Sequence, residues 1–172
     1  MTSTFAHRVV LVTGGSSGIG RAACLAFARE GAKVVVSDQV AQGGEETAHA
    51  ICQAGGDAIF VKTDVSKAVE VEALIQRTIE VYQKLDCAFN NAGIEGAIAP
   101  TADCTEENWD HTLAVNLKGV FLCMKYEIPY LLKQKQSAIV NCSSVAGLVG
   151  IPGSPAYIAS KHGIVGLTRT AA

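Results

Sequence analysis

The sequence predicts an α/β fold on a parallel sheet. Short β-rich runs alternate with longer helical patterns, one such run leads straight into a glycine-rich turn that opens a helix, and 172 residues suit a single domain spanning 1–172. In chain order the predicted strands are 8–12, 33–37, 58–62, 86–89 and 137–142, with a helical stretch between each pair. The first helix, 21–30, carries apolar residues at 22, 23, 25, 26 and 27 and stops at Gly31. The second, 45–54, repeats this plan and stops at Gly55-Gly56. Ser66 is expected to cap the third, 66–82, whose Val69, Val71, Leu74, Ile75, Thr78 and Ile79 make one buried face. The fourth stretch, 106–133, is apolar nearly all round, from Leu113 to Ile128, and so predicts burial on two sides, one against the sheet and one at a subunit interface. Pro129 is expected to bend or end it. A last helical pattern runs on from Ala156.

Composition excludes several partners. A hydrophobic share of 49%, a charged share of 17% and a net charge of −2 describe a globular chain without the basic footprint that nucleic acid or anionic lipid requires. No apolar stretch reaches membrane-spanning length and no leader pattern opens the chain, which predicts a cytoplasmic protein. The six cysteines form no C-x-x-C pair and fall mostly in apolar runs, as reduced, packed thiols would. His7, His49, His111 and His162 are scattered without ligand spacing, so no metal is expected.

The turn Thr13-Gly14-Gly15-Ser16-Ser17-Gly18-Ile19-Gly20 sits between a strand and a helix, where backbone N–H groups and the helix dipole bind phosphate. Its spacing is not G-x-G-x-x-G, and it lacks the P-loop lysine. Asp38 ends the second strand, placed either to accept hydrogen bonds from a ribose diol or to start a turn. A carboxylate there repels a 2′-phosphate, and neither Ser17 nor Gln39 offers a compensating cation, so NAD is expected over NADP. Asp64 and Val65 follow the third strand, within reach of an adenine ring, and Asn90-Asn91-Ala92-Gly93 follows the fourth. Each alone is ordinary turn chemistry, but together on one sheet edge they favour a ligand site.

Tyr157 and Lys161, four apart, share one helix face and can form an acid/base unit. Bringing a phenol from a pKa near 10 to about 7.5 takes roughly 3.4 kcal/mol, and an ammonium about 4 Å away supplies roughly 4 kcal/mol at an effective dielectric of about 20. Ser144, just past the fifth strand, could hold a substrate oxygen. Asn116 is either a buried amide that fixes a water linking Lys161 to solvent or an ordinary core asparagine.

With T-G-x-x-x-G-I-G at 13–20, N-N-A-G at 90–93, Asn116, Ser144 and Y-x-x-x-K at 157–161, the sequence resembles the classical short-chain dehydrogenase/reductase (SDR) family. The resemblance implies a Rossmann-like doubly wound sheet in strand order 3-2-1-4-5. It implies an NAD-dependent oxidoreductase that moves hydride between nicotinamide and a secondary alcohol or ketone, working as a homodimer or homotetramer. Tyr157 would be the acid/base and Lys161 would lower its pKa. Ser144 would orient the substrate, and Asn116 would support the proton relay. Cofactor contacts would come from Gly14, Ser16, Ser17, Gly18, Ile19, Gly20, Asp38, Asp64, Val65, Asn91, Ala92, Gly93, Tyr157 and Lys161. Two further family strands and a substrate loop have no counterpart in these residues. The chain therefore reads as C-terminally truncated relative to the family: a fragment or truncated reading frame, an inactive product, or a short protein completed by another chain. The alternative function is a dinucleotide-binding module without catalysis. Ala92, Ile94, Val145, Ala146, Leu148 and Val149 suggest an apolar alcohol or ketone.

Overall fold

The computed structural model describes residues 4–172. Five strands, β1 (Val9–Thr13), β2 (Lys33–Asp38), β3 (Asp57–Lys62), β4 (Cys87–Asn90) and β5 (Ala138–Asn141), form one sheet in the order β3-β2-β1-β4-β5. Every pairing is parallel: Val10 faces Val34 and Cys87, Val34 faces Ala58, and Phe89 faces Val140. The helices are α1 (Gly18–Arg29), α2 (Ala41–Gln53), α3 (Ala68–Tyr82), α4 (Glu106–Leu113), α5 (Gly119–Leu131) and α6 (Pro155–Ala171). No helix among the described residues is long and apolar enough to cross a membrane.

Strand periodicity divides the core. The even residues Val10, Val12, Val34 and Val36 pack with Cys24 of α1 and with Ala48 and Ile51 of α2. Odd residues Val9, Leu11 and Val35 pack with Leu74 and Ile75 of α3 and Leu131 of α5. Helices on both faces explain why the central strands are apolar at consecutive positions, all of β1 being buried. Each such side chain contributes about 1.5–3 kcal/mol by leaving water.

Several predicted boundaries shift. Helix α1 begins at Gly18 rather than Arg21, and α2 begins at Ala41, before the glycine pair Gly43-Gly44. A Cβ on Gly44 would lie 2.0 Å from the Phe60 ring, so contact with β3 rather than helix propensity decides that turn. Ser66 does not cap α3. Its hydroxyl donates to Asp64 Oδ1 at 2.7 Å, and the residue flanking the helix is Lys67. The single helix expected over 106–133 is α4, a π-helical turn at Ala114–Lys118, and α5. Pro129 does not stop α5, which runs two residues further to Leu131. All six cysteines are free, but only Cys24 and Cys123 are buried and Cys52 is exposed, so the expectation of packed thiols holds for part of the set.

Candidate functional site

At the carboxyl ends of the strands the loops leave a cleft of about 810 Å³, joined to a recess of about 90 Å³. That volume is ample for a ligand of cofactor size, and the location is where open α/β sheets bind ligands. Its first wall is the turn from β1 into α1. Ser17 flanks the helix without making a side-chain cap, and no acidic residue occupies the first turn, so the N–H groups and dipole of α1 face the cleft unneutralised. Gly14 and Gly18 have φ of +70° and +51°, and a Cβ on Gly20 would stand 2.0 Å from the Gly14 carbonyl oxygen. The glycines are therefore required for the backbone path and for the packing of helix under turn.

The turn is held from behind. Thr13 Oγ1 accepts from the N–H groups of Asn91 and Ala92 at 3.0 and 3.1 Å, and Asn91 Nδ2 donates to the Thr13 carbonyl at 3.1 Å. Asp38 takes the backbone N–H of Ser16 on Oδ2 at 3.0 Å and that of Val40 on Oδ1 at 2.9 Å, which keeps the carboxylate half-buried at the cleft wall with lone pairs to spare. In the recess, burial pushes the Asp64 carboxyl up, but hydrogen bonds from Ser66 and Lys67 outweigh this and hold it below its ordinary value.

The other wall comes from β5, the loop after it and α6. Lys161 is nearly fully buried, donates from Nζ to the Cys142 carbonyl at 2.8 Å and lies 5.5 Å from the centroid of the Tyr157 ring. Burial pulls its ammonium below the ordinary lysine range. Ser143 Oγ donates to the Lys161 carbonyl at 2.9 Å and so ties the loop to α6. Ser144 Oγ accepts from Ala146 N–H at 3.1 Å, which leaves its own hydrogen for another acceptor. Asn116, fully buried in the π-helical turn, accepts from Ile94 N–H at 2.8 Å and donates to Ile94 O at 2.8 Å and Ser160 Oγ at 3.1 Å. Both its amide hydrogens are thus spent on the protein, and the side chain clamps the loop after Gly93 rather than offering them to a water.

Among the predicted site residues, Gly14, Ser17, Gly18, Ile19, Asp38, Asn91, Ala92, Gly93, Ser144, Tyr157 and Lys161 line the cleft, and Asp64 and Val65 line the recess. Ser16, Gly20 and Asn116 stand behind the lining and act through Asp38, Gly14 and Ile94. Sequence reasoning missed the role of the Thr13 hydroxyl and the presence of Thr63 and Glu95 in the lining.

Fold and site define an α/β domain with a cleft across its strand ends and a buried lysine beside a tyrosine in that cleft. The chain matches the short chain dehydrogenase family over residues 8–172 and belongs to it. It is 42% identical over 173 residues to levodione reductase of Leifsonia aquatica, covering 99% of this chain and 65% of that protein. It is 38% identical over 172 residues to cyclohexanol dehydrogenase of Acinetobacter sp. (strain SE19), covering 100% and 68%. The structure of NAD+-bound xylitol dehydrogenase superposes with a TM-score of 0.95 at 33% identity, over 98% of this chain and 65% of that one. The chain thus spans about two thirds of the length of the relatives it matches.

Proposed function

We propose that this chain carries the cofactor site and the reacting side chains of an NAD-dependent oxidoreductase acting on a secondary alcohol or ketone. The observation that carries the reading is convergence: an uncapped helix N-terminus behind a glycine turn, Asp38, Ser144, Tyr157 and Lys161 all face one cleft. Relatives named for levodione reduction, cyclohexanol dehydrogenation and NAD+-bound xylitol dehydrogenase agree with it.

The residues present fit a dinucleotide. The N–H groups of α1 would hold the pyrophosphate, and Asp38 would accept from a ribose diol. Preference for NAD over NADP rests on Asp38, whose carboxylate lines both cleft and recess and would repel a 2′-phosphate; Asp64 in the recess is already paired with Lys67 at 3.3 Å. Bound nicotinamide would supply or accept the hydride. The protein's own part is the proton. Tyr157 moves it at the phenolic oxygen, and the Lys161 ammonium, 5.5 Å from the centroid of the ring, favours the phenolate. Ser144 donates its free hydrogen to the substrate oxygen, and Asn116, through Ile94 and Ser160, fixes the loop and α6 against each other. Val145, Leu148 and Val149, which follow Ser144 in the chain, are exposed and favour an apolar substrate. A homodimer or homotetramer would use α4 and α5, which expose Trp109 and Phe121.

NADH oxidation across a panel of cyclic and acyclic ketones tests the proposal. Turnover that Tyr157→Phe abolishes is expected. Saturable NADH binding without turnover on any ketone or alcohol would instead make the chain a binding module.

A further inference from the structure

Behind the cleft lies a polar cluster that the proposed chemistry does not use. Glu127 of α5 is fully buried. Its Oε2 accepts from Asn90 Nδ2 at 3.1 Å, while its Oε1 and the Asn90 Oδ1 are both buried without a partner. The second hydrogen of Asn90 Nδ2 goes to Asn141 Oδ1 on β5 at 3.0 Å, and Asn141 Nδ2 donates to Thr168 Oγ1 on α6 at 3.0 Å. Thr168 Oγ1 donates in turn to the Ile164 carbonyl at 2.7 Å. The chain of bonds thus crosses α5, β4, β5 and α6, and every donor in it is spent. Only the two acceptors at the Glu127 end are left over, and an orphaned buried acceptor costs about 1–3 kcal/mol.

One proton repairs both. We infer that Glu127 is held as the neutral carboxylic acid and pairs head to head with the Asn90 carboxamide, Oε1–H donating to Oδ1 while Nδ2–H donates to Oε2. Ionised, the carboxylate would leave both Oε1 and the Asn90 Oδ1 buried without a donor. Among the described residues the surroundings offer no cation to hold that charge: β4 presents Asn90, β5 Asn141 and α6 Thr168, all neutral, and the titratable neighbour on α5 is the Cys123 thiol, itself buried and pushed up first by burial and then by Glu127. Burial pushes the Glu127 carboxyl up to about 7, the Asn90 hydrogen bond pulling the other way.

The position gives the proton a consequence. Asn90 immediately precedes Asn91, whose backbone N–H and side chain hold Thr13 and Gly14 of the glycine turn, and α6 at the far end carries Tyr157 and Lys161. Glu127 is therefore a positioning residue for both walls of the cleft. With the folded pKa raised above the ordinary 4.5, its stabilising contribution is fully present below that value and is lost as pH rises through about 7.

The effect on cofactor affinity rests on the function proposed above, whereas the protonation itself does not. Carbon-13 labelling of the glutamate carboxyls, followed by NMR from about pH 4 to about pH 9, reads the protonation directly. One resonance should stay protonated long after the others have ionised and titrate near neutrality, together with the Asn90 side-chain amide signal. It should be missing from Glu127→Gln, which offers a permanent donor and acceptor to the same amide. NADH affinity of the native chain should fall several-fold on raising the pH through this transition, while the Gln variant keeps the low-pH affinity throughout. If all glutamates titrate together in the acidic range, the inference is overturned, and the labelled native chain decides this even if the variant does not fold. Failure to bind NADH alongside the predicted resonance would overturn the proposed function and leave this inference standing.

Discussion

Asn116→Asp is the sharpest perturbation of the clamp between the cofactor loop and α6. It replaces one atom and changes no volume. The acceptor for Ile94 N–H survives, but of the two donations, to Ile94 O and Ser160 Oγ, a protonated carboxyl can keep one and a carboxylate neither. Ser160 retains its own bond to the Tyr157 carbonyl at 2.7 Å, so the group left without a donor once the carboxyl ionises is Ile94 O. An unsatisfied buried acceptor costs about 1–3 kcal/mol, and a carboxyl at a position with no solvent exposure adds to this when it ionises. A total of about 2–4 kcal/mol lowers Tm by roughly 5–15 °C for a domain of this size. The buried Asp is held protonated in the fold, with a folded pKa above its unfolded one, so the loss should be smaller near pH 4 and larger near pH 8, where the unfolded chain gains by ionising. Thermal melts followed by circular dichroism at both pH values check this. A variant that melts with the native chain at both would refute the clamp.

Three further outcomes follow from the same geometry. Gly20→Ala puts a methyl group 2.0 Å from the Gly14 carbonyl oxygen, which forces the turn open; NADH affinity measured by fluorescence should fall by about tenfold or more, equivalent to about 1.4 kcal/mol. Tyr157→Phe should lower kcat by about 10²–10⁴ in steady-state assays while leaving the NADH dissociation constant within a few-fold, because the hydroxyl moves the proton and does not build the turn. Leu74→Ala removes a fully buried side chain shared by α3 and the odd-numbered core, and denaturant melts should show a loss of about 2–5 kcal/mol.

The strands were legible to within a residue or two because β1 and β2 are apolar on both faces and punctuated by glycine and aspartate. Their order came through the motifs rather than through periodicity. The starts of α1 and α2 were misplaced for one reason: glycines at 18, 43 and 44 argue against a helix locally, and packing overrides them. The π-helical turn was not legible, since one inserted residue inside a long apolar helix leaves its periodicity almost intact. The cleft residues were read from strand ends and from the Tyr157 to Lys161 spacing. Clamps made across distant positions, such as Asn116 to Ile94 and Thr13 to Asn91, leave no local pattern. Glu127 did leave one, since a carboxylate on the face shared by Val120, Cys123 and Leu131 has nowhere to ionise.

The most direct test of the account is titration of NADH, with NADPH in parallel, into the purified chain, followed by nicotinamide fluorescence. The uncapped end of α1 and the Asp38 carboxylate predict saturable binding that favours NADH and is lost in Gly20→Ala. Absence of binding, or binding of NADPH as tight as NADH, would contradict it.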